Sequence, residues 1–366
     1  MISGFATYEG TSKFIKNSNV NSLNFKKIHG LELSNVGIGT YLGEPNEHTD
    51  ELVKNAVKQS VLSGINVIDT AINYRAQKAE RSVGKAIFEL ISEGKISRNQ
   101  IFISTKNGYV TNDADIKQEF WEYVKTEYTQ KGVLKEGDIS SGYHCMTTRY
   151  LDDQLERSLK NLGLDCIDLI YLHNAVEGQI KDISKEKFLE NLKLVFELYE
   201  QKRKEEKIKF YGMATWECFR VSSDNPQYLS LQDTVELAKK VGGENHGFRF
   251  IQLPFNMYYD QALLAKNQTL DGRPVSLLEA ASNLNIGVFT SVPLMQGRLL
   301  TPGAMPEFND LKPSLRALQF IRSSPGVLSP LVGQKSPEHV SENLEIMKIP
   351  PIPEDEFLAL VKKLTL

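Results

Sequence analysis

The chain has 366 residues, with 43 basic against 46 acidic side chains and a formal net charge of −3. Hydrophobic residues at 41% and charged residues at 24% supply a core and exclude a disordered chain. The charge balance argues against nucleic acid or a membrane surface as partner, and no apolar run nears the roughly 18 residues that span a bilayer.

In chain order, residues 1–35 read as a tail and a hairpin: Ser22-Leu-Asn-Phe25, a His29-Gly30 turn, then Leu31-Glu-Leu33. β-Branched runs then predict strands over 36–40, 65–69, 101–105, 167–171, 209–213, 250–253, 287–290 and 328–332. Helical spacing fills the gaps. Over 50–62 it is carried by Leu52, Val53, Ala56, Val57, Val61 and Leu62, with Thr49 or Asp50 as cap. Over 152–162 it is carried by Leu155, Leu159 and Leu162. Residues 109–146 form an insertion after the third strand. Within it, 115–130 predicts an amphipathic helix with Ile116, Phe120, Tyr123, Val124 and Tyr128 on one side.

Eight strand–helix units predict an α/β fold, a (β/α)8 TIM barrel, with residues 1–366 as one domain. A doubly wound open sheet is the rival, and Pro330 sits awkwardly in the eighth strand. Cys145, Cys166 and Cys218 make no CxxC pair, and the opening residues lack the apolar centre of a secretory signal. Both features predict a cytoplasmic chain.

Several chemistries are set aside. The chain has no P-loop phosphate signature, no HExxH zinc helix and no GxSxG elbow. The third glycine of Gly37-Ile-Gly39-Thr40-Tyr41-Leu42-Gly43 comes one place late for a Rossmann fingerprint. His144-Cys145 lacks partners at metal-ligand spacing, so no metal is expected. In a barrel, chemistry sits where the strands end. Asp69, Tyr74, Lys106 and His173 fall there. An ammonium beside a phenol lowers its pKa, and a carboxylate holds that ammonium in place. A histidine hydrogen-bonds a carbonyl oxygen. Together they suit protonation of an oxygen while a cofactor delivers hydride to the adjacent carbon. Taken singly, each has a plainer role as helix cap, surface phenol, rim ion pair or buried histidine.

These residues resemble the aldo-keto reductase family over about residues 22–347. Asp69-Thr70-Ala71-Ile72-Asn73-Tyr74 resembles its DTAxxY signature, and Glu80 to Gly84 the following ExxxG. Thr105-Lys106 resembles its Ser/Thr-Lys element, and Ile167 to His173 the segment ending in the family histidine. Pro293-Leu294-Met295-Gln296-Gly297 resembles the SPLxxG loop, and Glu342-Asn343 the EN pair near the adenosine.

The resemblance implies NADPH-dependent reduction of an aldehyde or ketone, with NADH left open. It makes Tyr74 the general acid, Lys106 the group that lowers its pKa, Asp69 the partner of Lys106, and His173 the residue that orients the carbonyl. Gly39 and Thr40 would lie near the nicotinamide half. Gln252 and Thr215 would hold the carboxamide, with Ser291, Leu294 and Gln296 alongside. Gly333, Gln334, Lys335, His339, Glu342 and Asn343 would line the adenosine end, with Lys335 and His339 facing its 2′-phosphate.

Four departures stand out. Arg75 replaces the glycine that follows the tyrosine; it binds an anionic substrate group or pairs with a carboxylate. Ala214-Thr215 replaces Ser-Asn. Ser291 stands where an aromatic often stacks on the nicotinamide, with Trp216 as a substitute face. Val332-Gly333-Gln334-Lys335-Ser336 replaces a more basic phosphate-binding pattern, with His339 where arginine often contacts the 2′-phosphate. The insertion is expected as a lid over the pocket. The expected partner is a small carbonyl compound, and the expected state a monomer or weak homo-oligomer. Two alternatives stay open: an NADPH-binding regulatory subunit like the potassium-channel β subunits, and a sugar or alcohol dehydrogenase working oxidatively.

Overall fold

Each β-branched run is extended and pairs in parallel with the next. In the computed structural model, which describes residues 1–365, the barrel strands are β1 (Gly37–Gly39), β2 (Val67–Asp69), β3 (Phe102–Asn107), β4 (Ile167–His173), β5 (Ile208–Ala214), β6 (Phe248–Pro254), β7 (Gly287–Ser291) and β8 (Val327–Gly333). β8 returns to β1 through Leu331↔Gly37 and Val332↔Ile38, and the sheet closes. Closure decides against the open-sheet alternative. Pro330 pairs opposite Thr290, next to a register shift at Val288/Phe289. That irregularity accommodates the missing N–H.

The connecting helices are α1 (Glu47–Leu62), α2 (Lys78–Ser92), α3 (Thr148–Leu162), α4 (Lys185–Lys204), α5 (Leu231–Gly242), α6 (Leu277–Asn283), α7 (Pro313–Ser323) and α8 (Pro337–Leu344). The cap of α1 is Asn46, not Thr49 or Asp50: its side chain accepts from Thr49 N at 2.9 Å. α3 begins at Thr148, ahead of the predicted 152, because Tyr150 and Leu151 extend its buried stripe.

Strand alternation divides the core. On β4, Leu169 and Tyr171 join the barrel interior, while Ile170 and Leu172 pack outward against helices. Phe102, Phe250 and Phe289 fill the centre with ring centroids 5.5 to 5.9 Å apart. The antiparallel hairpin Phe25–Ile28 with Leu31–Ser34 sends Leu31 and Leu33 into that interior. Lys26 Nζ donates to the carbonyls of Arg322 (2.8 Å) and Val327 (2.5 Å). Burial pulls its pKa down to about 8. The hairpin thus closes the N-terminal mouth, and a ligand must use the other end. The tail contains a helix the sequence reading lacks, Tyr8–Asn17, capped by Thr7.

The insertion differs from expectation. Its helix is short, Phe120–Tyr123, and widens into a π-helix over Val124–Thr129. A π turn brings residues five apart onto one face. Tyr123 and Tyr128 are both buried; Tyr128 stands edge-on to Tyr123 at 5.7 Å and to Tyr150 of α3 at 5.2 Å.

Candidate active site

The strand ends bring the four predicted groups onto one rim. Asp69 closes β2, Lys106 lies near the end of β3 and His173 closes β4. Tyr74 follows in the turn after β2. The next three residues, Arg75, Ala76 and Gln77, have φ of 50°, 47° and 74°. Left-handed backbone costs a non-glycine residue about 1 kcal/mol. Tertiary contacts offset that cost. Arg75 bonds Asp50 at 2.6 Å and Ser82 at 3.0 Å. Ala114 N donates to Ala76 O at 3.1 Å, and Gln77 Nε2 to Asn112 O at 3.2 Å. The start of the insertion therefore braces the turn that carries Tyr74.

Lys106 Nζ lies 2.5 Å from Asp69 Oδ2 and donates to Thr70 O at 2.8 Å. Asp69 Oδ1 accepts from Ser104 Oγ (2.7 Å) and Gln252 Nε2 (3.0 Å). The ammonium sits over the Tyr74 ring, 4.8 Å from its centroid. Tyr74 stands edge-on to His173, 5.9 Å away, and Tyr41 packs on its other side at 4.9 Å. Behind Lys106, Glu80 accepts from Thr105 (2.6 Å) and Asn161 (2.8 Å). A side chain at Gly84 would collide with the carbonyls of Asn161 and Leu162. The ExxxG pattern thus locks α2 against α3 and β3.

Burial sets the protonation states. It pushes the Tyr74 phenol well above the usual tyrosine range, with the Asp69 anion adding to the rise. Desolvation is the largest of these influences on the phenol. Burial also lowers Lys106, opposed by Asp69. It pulls His173 well below the usual histidine range, helped by Lys106. The rim therefore presents a protonated phenol and a neutral imidazole.

Both open into a cleft of about 620 Å³. Gly39, Thr40, Thr215 and Gln252 line it from the ends of β1, β5 and β6. Ser291, Leu294 and Gln296 line it along the loop after β7. Gly333, Lys335, His339, Glu342 and Asn343 line its far end. Gln334 does not; its amide donates to Ser60 of α1 at 3.0 Å, because the next residue of an extended chain faces the other side. A family model described as "Aldo/keto reductase family" matches residues 35–365.

The chain belongs to the Aldo/keto reductase family. A Schizosaccharomyces pombe protein named as a candidate voltage-gated potassium channel subunit beta is 23% identical, over 87% of this chain and 86% of its own. A Bacillus subtilis protein, "Uncharacterized oxidoreductase YqkF", is 23% identical, over 90% and 92%. A Klebsiella pneumoniae aldo/keto reductase, crystallised with NADP and acetate, shares the fold at TM-score 0.58 and 20% identity, covering 95% of each chain.

Several features set this aldo/keto reductase site apart. Thr215 lines the cleft, yet its hydroxyl donates to Glu177 Oε1 at 2.7 Å, which also accepts from Trp216 N and Glu217 N. The carboxylate thereby replaces a ligand as the partner of that proton. Gln252 gives one amide hydrogen to Asp69, which leaves its second N–H and Oε1 free to face the cleft. Trp216 lines the cleft and is 39% exposed. Arg75 does not line it, since the Asp50 pair turns it inward. Of the insertion, Tyr109 alone reaches the cleft; Phe120, Trp121, Tyr123, Tyr128 and Tyr143 lie outside its walls. The insertion's observed contacts are those of a brace behind the turn that carries Tyr74.

The sequence reading missed Tyr41, Asn73 and Tyr109 as cleft residues. Tyr41 was accessible to the strand-end rule, being next to Thr40. The donor set fits an extended dinucleotide. Asn73 Oδ1 is buried without a partner on the cleft wall, and a Cβ at Gly333 would meet open space. The N-terminus of α8, where Ser336 caps His339 N and Pro337 carries no N–H, presents a positive dipole end beside Lys335 and His339.

Proposed function

We propose that the protein reduces an aldehyde or ketone to an alcohol with NADPH. The observation that carries this reading is the Asp69–Lys106 pair lying under the Tyr74 ring at the floor of the cleft. A bound nicotinamide dinucleotide supplies the hydride. Lys335 and His339 would hold its added phosphate, and the NADP bound by the Klebsiella pneumoniae relative supports that choice. Gln252, Thr40 and the backbone at Gly39 would face the nicotinamide half.

The residues of the chain then do the rest. His173, neutral through burial, donates to the carbonyl oxygen and orients it. Tyr74 gives its phenolic proton to that oxygen. The phenolate left behind is stabilised by the Lys106 charge, which Asp69 keeps in place. The aromatic walls exclude water. No helix among the described residues is long and apolar enough to cross a membrane. We place the protein in the cytoplasm, where its three buried thiols stay reduced.

Tyr74→Phe tests the reading. Turnover should fall by about a thousandfold, while NADPH binding, followed by tryptophan fluorescence, stays near wild type. Full activity in that variant would overturn it. A second reading, a cofactor-binding interaction subunit, draws on the likeness to the candidate channel subunit. It predicts NADPH binding without turnover of any carbonyl compound.

A further inference from the structure

His144 belongs to the insertion, yet it is fully buried. Both ring nitrogens are engaged. Nε2 lies 2.8 Å from the carbonyl oxygen of His173, and Nδ1 lies 3.1 Å from the amide nitrogen of Gln179. A carbonyl only accepts and an amide nitrogen only donates. The partners therefore place the proton on Nε2 and make Nδ1 the acceptor. Burial pulls the pKa of His144 down to about 4, so the ring is neutral and this tautomer persists at neutral pH.

The surroundings are shaped around this ring. A side chain at Gly108 or at Gly178 would collide with His144. Ser140 Oγ accepts from His144 N (3.1 Å) and donates to Gly178 O (2.5 Å). Tyr109 stands edge-on to both histidines, with centroids 5.4 Å from His144 and 5.1 Å from His173. Its hydroxyl accepts from Asn174 Nδ2 at 3.2 Å. Asn174, the residue after His173, has φ 48° and breaks the strand there. The His173 carbonyl thus leaves the β ladder and finds its donor in His144 instead.

We propose that His144 is a positioning residue for the reaction. Through the His173 carbonyl and the Tyr109 ring it fixes where the His173 imidazole stands in the cleft. His144 does not line the cleft and touches no substrate. The insertion thereby contributes to catalysis from behind the wall. This rests on the reading of His173 as the group that orients the carbonyl.

Three variants test it: His144→Leu, which removes the donor; His144→Gln, which keeps an N–H donor; and Gln179→Leu, a milder change should the first fail to fold. In His144→Leu, kcat should fall about tenfold to a hundredfold, as expected when a catalytic group is misplaced by about 1 Å. The NADPH dissociation constant should stay near wild type, and His144→Gln should recover most of the rate. A second readout needs no turnover. The His173 ring resonance, identified as the one lost in His173→Asn, should broaden or split in His144→Leu. An unchanged resonance overturns the proposal. So does an equal loss of rate in the leucine and glutamine variants, or a loss of NADPH affinity in step with kcat, which marks a merely structural role. A wild-type protein that turns over no carbonyl compound overturns the functional reading, and the resonance then still decides the positioning role.

Discussion

Arg75 Nη1 lies 2.6 Å from Asp50 Oδ1, and this ion pair holds the residue beside Tyr74 out of the cleft. Arg75 is almost fully buried and sits on left-handed backbone. Asp50→Ala should strand a buried guanidinium and cost about 3 kcal/mol. Arg75→Gly should cost far less, because glycine adopts φ 50° freely and Asp50 keeps Lys78 at 2.9 Å. The double variant should resemble Arg75→Gly. Equilibrium urea unfolding of the three proteins checks this; a double variant as weak as Asp50→Ala would refute it.

The same pair should shape substrate choice. Besides neutral His173, the basic side chains on the cleft wall are Lys335 and His339, both near the start of α8. Around Tyr74 the wall is Tyr41, Tyr109 and Trp216. Benzaldehyde should therefore have a kcat/KM at least about tenfold above that of its 4-carboxylate, whose charge would be desolvated without a partner. Steady-state rates at fixed NADPH give the ratio.

Alkaline pH should stop the enzyme through Lys106, not through Tyr74. Burial raises the phenol and lowers the ammonium, so the lysine is the first to lose its proton as pH rises. Once Lys106 is neutral, the phenolate loses its stabilising charge. Asp69 holds the lysine pKa up, so Asp69→Asn should move the alkaline limb of kcat to lower pH. A limb that moves upward would contradict this assignment.

Cofactor choice should depend on Lys335. Its side chain makes no ion pair among the described residues and lies at the α8 end of the cleft. Lys335→Ala should weaken NADPH binding by about tenfold and leave NADH nearly unchanged, the effect of losing one charge-assisted phosphate contact. Parallel calorimetric titrations measure both.

Acid should destabilise the fold in a defined window. His29, His144 and His246 are each lowered by burial from 6.5 to about 4. The unfolded chain then binds more protons than the folded one between those values, so stability falls as pH drops from about 6.5 to about 4. His246→Asn should flatten that slope in thermal unfolding followed by circular dichroism. An unaltered slope would remove His246 from the groups that set it.

Much of this molecule was legible as sequence. Parallel strands buried on both faces appear as short continuous β-branched runs, and eight of them spaced by helical patterns predict a barrel. Asp69, Tyr74, Lys106 and His173 were findable because strand ends set which residues reach the rim. The hairpin was readable from its turn. The insertion was not, since the ring that receives Tyr128 of its π-helix is Tyr150 on α3.

Local pattern, then, determined the strands, their order and the residues at their ends, because alternation and turn chemistry act over a few neighbours. Tertiary structure decided where side chains with two choices went. Arg75 went to Asp50, Thr215 to Glu177, Gln334 to Ser60, and His144 to His173 and Gln179. Those partners lie 25, 38, 274, 29 and 35 residues away. The Tyr74 pKa followed the same rule. Sequence placed an ammonium beside the phenol, but only the closed barrel buried that phenol, and burial is the largest influence on its pKa.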